Sequence, residues 1–356
     1  MLGHLEALVA CDTQNPPRLI DGDSPIFAYC ARVVGSGFQT TLLDHGDGHV
    51  SWLAVRGRPR LLFNVHLDTV PVGEGWASDP HQLVVRDGRA YGRGSCDIKG
   101  AAAALLDIAA SGAADLALLF TTDEEGEGGC CVDNFIGAGL AEPYRQVVVA
   151  EPTRCRAVLA HRGYLSVKGW FEGTPGHSSE ARALDENAIH GLMHWGEAAL
   201  GVARNLKTSQ EDPGSCFNIG RIEGGTKSNV IAGRGYVHWS ARLGPGQSNR
   251  AFLKSLEACV PKGVKARWEV PFAGKPLPAS GQDSAAAEAF VREQGLEAGP
   301  PVDFWTEASI FSAAGLPALV LGPGDIAQAH QTDEWVALDQ LQRAHAIYSN
   351  LVKNDG

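Results

Sequence analysis

Four short, almost wholly apolar runs punctuate the first part of the chain, at positions 50–55, 61–65, 116–120 and 147–150. A run that is apolar on both faces predicts a strand in a sheet covered on both sides by helices. The Ala-rich stretch 98–110 predicts one covering helix, with Asp97 where an N-cap would sit. That alternation of strand and helix argues for an α/β unit. Positions 1–18 read as a short amphipathic helix through Leu2, Leu5, Leu8 and Val9, stopped before Asn15-Pro16-Pro17. From about Arg162 the pattern changes. Positions 165–171 and 236–243 alternate like half-exposed strands, with a helical pattern at 188–203 between them. After about Phe272 helix, strand and helix return at 284–294, 318–321 and 338–352. The expected layout is one discontinuous domain, 1–158 with 273–356, and an inserted α+β domain at 159–272.

Composition narrows the partners. The 356 residues are 44% hydrophobic and 20% charged, a globular balance, and the formal net charge is -11. A field of that sign repels phosphate, so neither nucleic acid nor an anionic membrane is an expected partner. The eight cysteines form no C-x-x-C pair and no disulfide framework. With no signal-peptide pattern and no run near the ~20 apolar residues of a membrane span, the expectation is a soluble, cytoplasmic protein.

Candidate chemistry lies where the apolar runs stop. The run 61–65 ends in His66-Leu67-Asp68-Thr69. Residues two apart on a strand point the same way, so Asp68 could orient a metal-binding His66. A Gly-rich turn leads to Asp97. The run 116–120 ends in Asp123-Glu124-Glu125, and 147–150 in Glu151. His330 follows the run 318–321. A solvated turn, or for Asp97 a helix cap, accounts for each of these singly. Together they place His66, Glu124, Glu125, Glu151 and His330 at the C-terminal ends of core strands, the edge where open α/β sheets bind ligands. Histidines with carboxylates suit a pair of zinc, cobalt or manganese ions. Adjacent acids, costly if ionised together, are relieved by such cations.

The ordered segments His66-Leu67-Asp68-Thr69-Val70-Pro71, Gly92-Arg93-Gly94 to Asp97-Ile98-Lys99-Gly100, Glu124-Glu125-Gly126 and Glu151-Pro152-Thr153 closely resemble the zinc aminoacylase and carboxypeptidase family. The resemblance runs over essentially the whole chain. Thr306-Glu307-Ala308, Leu321-Gly322-Pro323-Gly324, Gln328-Ala329-His330 and Asp333-Glu334 look most like its acetylornithine deacetylase branch, and positions 302–309 like the acetylcitrulline deacetylases within it.

The resemblance implies a co-catalytic metallohydrolase domain of mixed sheet and helices, with an inserted lid and dimerisation domain. It implies two divalent metal ions, zinc first and cobalt second. Asp97 would bridge them, His66 and Glu151 completing one site and Glu125 and His330 the other. Asp68 would orient His66, and Glu124 would be the general base. His177, in Gly176-His177-Ser178-Ser179, would close over the site to stabilise the oxyanion, often from the partner of a homodimer. Asn229, Arg242, Glu307, Gly322 and Gly324 would contact substrate, Arg242 through its α-carboxylate. The chain departs from the family at Ser240 and Ala232, where Asp and Pro are usual. The activity implied is hydrolysis of an N-acetyl amino acid, acetylcitrulline or acetylornithine, to acetate and the amino acid in arginine biosynthesis. A desuccinylase, a dipeptidase or carboxypeptidase, and a non-enzymatic amino-acid-binding scaffold are the alternatives.

Overall fold

The computed structural model describes residues 1–17, 19–112, 115–126, 128–206 and 214–355. The chain divides into two compact units. One holds Met1–Leu159, Gln282–Pro300 and Thr306–Gly356; the other holds Ala160–Gly281 and Pro301–Trp305. The second unit thus runs on past Phe272 and includes a later segment of the chain.

The strands are β1 (Gln39–Asp44), β2 (Val50–Arg56), β3 (Leu61–His66), β4 (Val84–Arg86), β5 (Arg89–Tyr91), β6 (Leu116–Thr121), β7 (Gln146–Val149), β8 (Tyr164–Glu172), β9 (Cys216–Gly224), β10 (Arg234–Arg242), β11 (Lys265–Gly274), β12 (Ala318–Val320) and β13 (Trp335–Ala337). The helices are α1 (Leu2–Val9), α2 (Pro25–Val34), α3 (Lys99–Ala110), α4 (Cys131–Gly137), α5 (Ala188–Arg204), α6 (Asn249–Glu257), α7 (Ala285–Glu293), α8 (Ala308–Ala313) and α9 (Leu338–Lys353).

The main sheet of the first unit has the order β1-β2-β6-β3-β7-β12. Strands β6, β3, β7 and β12 are mutually parallel, whereas β1 and β2 pair antiparallel. β3 and β6 are buried along their whole length. Leu61, Phe63 and Val65 join Leu118 and Phe120 in a core with residues of α1, α2, α3 and α9. Ala101 to Ala104 are fully buried there. Their small side chains let α3 lie close on β3 without losing rotamer freedom. Helices α4 and α8 pack against β2, β7 and β12. The sheet is therefore mixed and covered by helices, an α/β architecture. A smaller antiparallel sheet, β13-β5-β4, leads into the turn before α3.

One local expectation is corrected. Helix α3 starts at Lys99, its cap position is Ile98, and no side chain caps it. The Asp97 carboxylate is directed elsewhere, as the next section describes.

The second unit is an antiparallel sheet, β11-β8-β10-β9. Alternate residues Leu165, Val167 and Phe171 of β8 and Val237, Trp239 and Ala241 of β10 bury against Leu192 and Trp195 of α5 and Phe252 and Leu256 of α6. Trp195 Nε1 donates to the Leu256 carbonyl at 2.9 Å. All eight cysteines are free. No helix among the described residues is long and apolar enough to cross a membrane.

Candidate metal centre

The parallel strands deliver acids and a histidine to one edge. His66 is the last residue of β3, Glu124 and Glu125 follow β6, and Glu151 follows β7. Asp97 comes from the turn before α3. His330, after β12, sits at φ +60° and turns back toward the same edge. Asp97 lies at the centre of the group. Its Oδ1 is 3.1 Å from His66 Nε2 and its Oδ2 is 3.2 Å from His330 Nε2. Glu151 Oε1 is 3.5 Å from His66 Nε2, and Glu125 Oε2 is 3.1 Å from His330 Nε2. The result is two lobes, His66 with Glu151 and His330 with Glu125, joined by one carboxylate that presents an oxygen to each. That need explains why Asp97 does not cap α3.

Electrostatics here are those of crowded acids around two imidazoles. Burial, and then the neighbouring Glu151, push the Glu124 carboxyl well above its ordinary range. Glu151 is raised the same way by burial and by Asp97, and Glu125 more modestly. Burial also opposes ionisation of Asp97, but hydrogen bonds to His330 and His66 outweigh it and hold its carboxyl well below the usual range. Hydrogen bonds to Asp97 and Glu125 raise His330 to about 11. Burial works against the His66 cation, yet Glu151, Asp68 and Asp97 raise it well above its ordinary value.

The surrounding residues explain how the group is held. His66 donates from Nδ1 to the Asp68 backbone carbonyl at 2.9 Å, and the Asp68 carboxylate lies 3.5 Å from the same nitrogen. That carboxylate also accepts from the N–H groups of Glu124 (3.4 Å) and Glu125 (3.0 Å) and from Asn15 Nδ2 (2.8 Å). Asp68 therefore fixes both the histidine and the turn of the two glutamates. His49, Asp123 and Cys130 form a second group that could hold a cation. Asp123 Oδ2 already accepts from His49 Nδ1 (2.6 Å) and from the N–H groups of Cys130 (2.6 Å) and Cys131 (3.0 Å). With one oxygen taken by three donors, this group reads as a brace for the turn after β6. Asn15 and His49 had no chemical role in the sequence analysis, and Asp123 entered it only as one of three adjacent acids, not as a brace. They act across long stretches of chain, and no local motif marks them.

Glu307 is 2% exposed, and its Oε2 accepts the Thr121 hydroxyl at 3.0 Å. Burial and the nearby Asp123 raise its carboxyl to about 8. A Cβ on Gly322 would lie 2.2 Å from the Ala150 carbonyl oxygen and 2.6 Å from that of Glu151. Gly324 has φ +93°, and a Cβ there would meet Cys96 Sγ at 2.4 Å. Both glycines thus let the turn after β12 lie against the backbone that carries Glu151 and the residue before Asp97.

In the second unit His177 and Asn229 are neighbours. Hydrogen bonds from Gly173 to Gly233, from Ile231 to Gly176 and from Ser178 to the Asn229 carbonyl continue the β8–β10 pairing past Arg234. His177 Nδ1 meets Ser179 Oγ at 2.8 Å. Arg242 lies at the opposite end of β10, its guanidinium 3.9 Å over the Tyr164 ring.

Residues 62–354 match Peptidase family M20/M25/M40. The chain belongs to this family. It is 46% identical over 350 residues to N-acetyl-L-citrulline deacetylase of Xanthomonas campestris pv. campestris, covering 96% of this chain and 94% of the relative. It is 34% identical over 372 residues to acetylornithine deacetylase of Myxococcus xanthus, covering 98% and 95%. Its fold matches that of an M20 family metallo-carboxypeptidase from Sulfolobus solfataricus with TM-score 0.75 and 17% identity, covering 99% and 98%. Membership of the M20 family makes the chain a metal-dependent hydrolase.

The residues present fit divalent cations on their own chemistry. Two imidazole nitrogens and several carboxylates are a borderline-to-hard donor set. Glu151 Oε1 is buried and has no hydrogen-bond partner among the described residues. An orphaned buried acceptor costs about 1–3 kcal/mol unless something pairs with it. The raised carboxyls point the same way, since acids that repel one another in a buried group are relieved by positive charge.

Proposed function

We propose that this M20 hydrolase removes the acetyl group from N-acetyl-L-citrulline, releasing acetate and citrulline for arginine biosynthesis in the cytoplasm. The carrying observation is the likeness to the Xanthomonas deacetylase, which is greater than that to the Myxococcus acetylornithine deacetylase. Acetylornithine is the second reading, on that lesser likeness.

His66 and Glu151 would hold one cation, Glu125 and His330 the other, with Asp97 between them; zinc suits this set, and cobalt would also fit. Bound cations would polarise the scissile carbonyl and lower the pKa of water. Glu124 would accept the water proton at its carboxylate and return it to the departing nitrogen. Burial and Glu151 raise its pKa above the ordinary carboxylate range, the direction that favours returning the proton to the departing nitrogen. Asp68 would keep His66 aimed. Arg242 would pair in a fork with the substrate α-carboxylate. His177 and Asn229 would meet the carbonyl oxygen as its charge develops.

Arg242 cannot share one substrate with His177 and Asn229 of the same chain. They flank a strand of nine residues, which spans roughly 26 Å, whereas an acetylated amino acid is about 10 Å long. A complete substrate site would therefore draw Arg242 from one chain and His177 and Asn229 from another, which supports a homodimer. Strand β9 is an edge with Ile222 exposed, and Met193 and Leu200 are exposed seven residues apart on α5, a surface suited to a second copy.

The test is kinetic. The purified enzyme, loaded equally with zinc or cobalt, is assayed on acetylcitrulline and acetylornithine. A higher kcat/KM for acetylcitrulline is expected; a large preference for acetylornithine would overturn the substrate assignment.

A further inference from the structure

Every residue of the turn that carries Asp97 donates a hydrogen bond to a single residue, Glu334. The Gly92 N–H and the Ser95 hydroxyl reach its backbone carbonyl at 3.0 and 3.3 Å. Arg93 Nη1 and the Gly94 N–H reach Oε2 at 2.7 and 3.0 Å. The N–H groups of Cys96 and Asp97 reach Oε1 at 2.8 and 3.0 Å. Glu334 is 1% exposed, so these bonds replace water completely.

An ionised carboxylate offers about four lone-pair sites and no donor, which matches four converging N–H groups. Glu334 also follows His330 by one turn of chain. The turn bearing Asp97 and the segment bearing His330 are thereby fastened to each other, and Asp97 Oδ2 stands 3.2 Å from His330 Nε2. Arg93 extends the fastening, because its Nη2 donates to the Pro71 carbonyl at 3.1 Å, on the stretch that follows His66 and Asp68.

We propose that Glu334 is a positioning residue for the metal pair: its carboxylate sets the aim of Asp97, so that one Asp97 oxygen faces each metal position. The proposal rests on the reading that Asp97 bridges two cations. The competing explanation is that Glu334 merely stabilises the fold through its buried pair with Arg93. The two differ in what they require of bound metal. A purely stabilising residue leaves the metal environment intact in whatever protein still folds. A positioning residue changes it.

The experiment uses metal-stripped, full-length protein titrated with Co(II) against a competing chelator. The visible absorption of bound cobalt reports ligand geometry, and thermal unfolding of the metal-free protein reports stability separately. Glu334→Gln keeps the shape but turns an NH₂ group toward N–H donors. Its cobalt affinity is expected to fall about 10–100-fold, the usual cost of losing a partner that orients metal ligands, with an altered spectrum. Glu334→Asp restores all four acceptor sites on a shorter stem and is expected to fall between wild type and Glu334→Gln. Should Glu334→Gln fail to fold, Glu334→Asp decides by the same measure. Wild-type cobalt affinity and spectrum in the variants that fold, whatever their melting temperature, overturn the proposal. Asp97→Ala tests the underlying reading by itself. If it still binds two cobalt ions tightly, the bridging assignment falls. If it loses both ions while Glu334→Gln keeps both unchanged, only the role of Glu334 falls.

Discussion

Gly322 offers a direct test of how tightly the turns around the candidate metal centre are packed. It follows β12, its N–H donates to Thr153 Oγ1 at 3.1 Å, and its carbonyl accepts from the Cys155 N–H at 2.8 Å. A methyl group in Gly322→Ala would sit 2.2 Å from the Ala150 oxygen and 2.6 Å from the Glu151 oxygen, where contacts below 3.0 Å are essentially never seen. Both obstacles are backbone, so neither can rotate away. The turns must part by about 0.8 Å to restore even a 3.0 Å contact. Overpacking of this kind costs about 1–3 kcal/mol, more than the roughly 0.4–1 kcal/mol that Gly→Ala ordinarily gains by restricting the unfolded chain. A net loss of about 1–2 kcal/mol lowers the melting temperature by about 2–4 °C. Because the displaced backbone carries Glu151, the proposed metal site would move with it. A shift near 1 Å at such a site costs up to about 100-fold in rate. Metal content by atomic emission, thermal unfolding and kcat/KM on the acetylated substrate should all fall together. If Gly322→Ala instead holds its full metal and melts as wild type, with only KM raised, Gly322 serves the substrate alone and the packing argument fails.

Two further outcomes follow from the structure. Burial and Asp123 raise Glu307 to about 8 from an ordinary 4.5, so the fold favours its protonated form. Its contribution to stability is full below about 4.5 and is lost as pH rises through about 8. In metal-stripped protein Glu307→Gln, which stays neutral, should gain on wild type by up to about 1.4 kcal/mol per pH unit across that window; an equal difference in denaturant stability at pH 6 and pH 8 would refute this. If the substrate site is shared between two chains as proposed, His177→Ala and Arg242→Ala chains should each be nearly inactive alone. Unfolded and refolded together, they should recover about a quarter of wild-type activity, because about half of the dimers are mixed and each mixed dimer has one complete site. No recovery in dimers shown to be mixed would mean that each site takes His177 and Arg242 from one and the same chain, and the shared-site reading falls.

Much of the centre was legible in the sequence because its causes are local. A strand buried on both faces must be a continuous apolar run, and residues just past its end must emerge at the sheet edge. That is why 61–65, 116–120 and 147–150 pointed to His66, to Glu124 and Glu125, and to Glu151. The order of short motifs around them was enough to indicate the family. Tertiary structure decided what depends on distant partners. The run 50–55 looks like its neighbours, yet β2 pairs antiparallel with β6, a choice that hydrophobicity does not encode. Strands β9 and β11 are the two edges of their sheet and largely exposed; β11 alternates at Ala266, Trp268, Val270 and Phe272, but Pro271 within the run weakens it as a strand signal. Asp97 stood in a cap position by sequence, but the carboxylate follows the strongest charges available, two histidines contributed by other parts of the chain. Glu334 lies some 240 positions from the turn it organises, and Asp123 finds His49, 74 positions earlier and just before β2. Periodicity records whether a residue is buried; only the folded chain decides which donors and acceptors meet once it is.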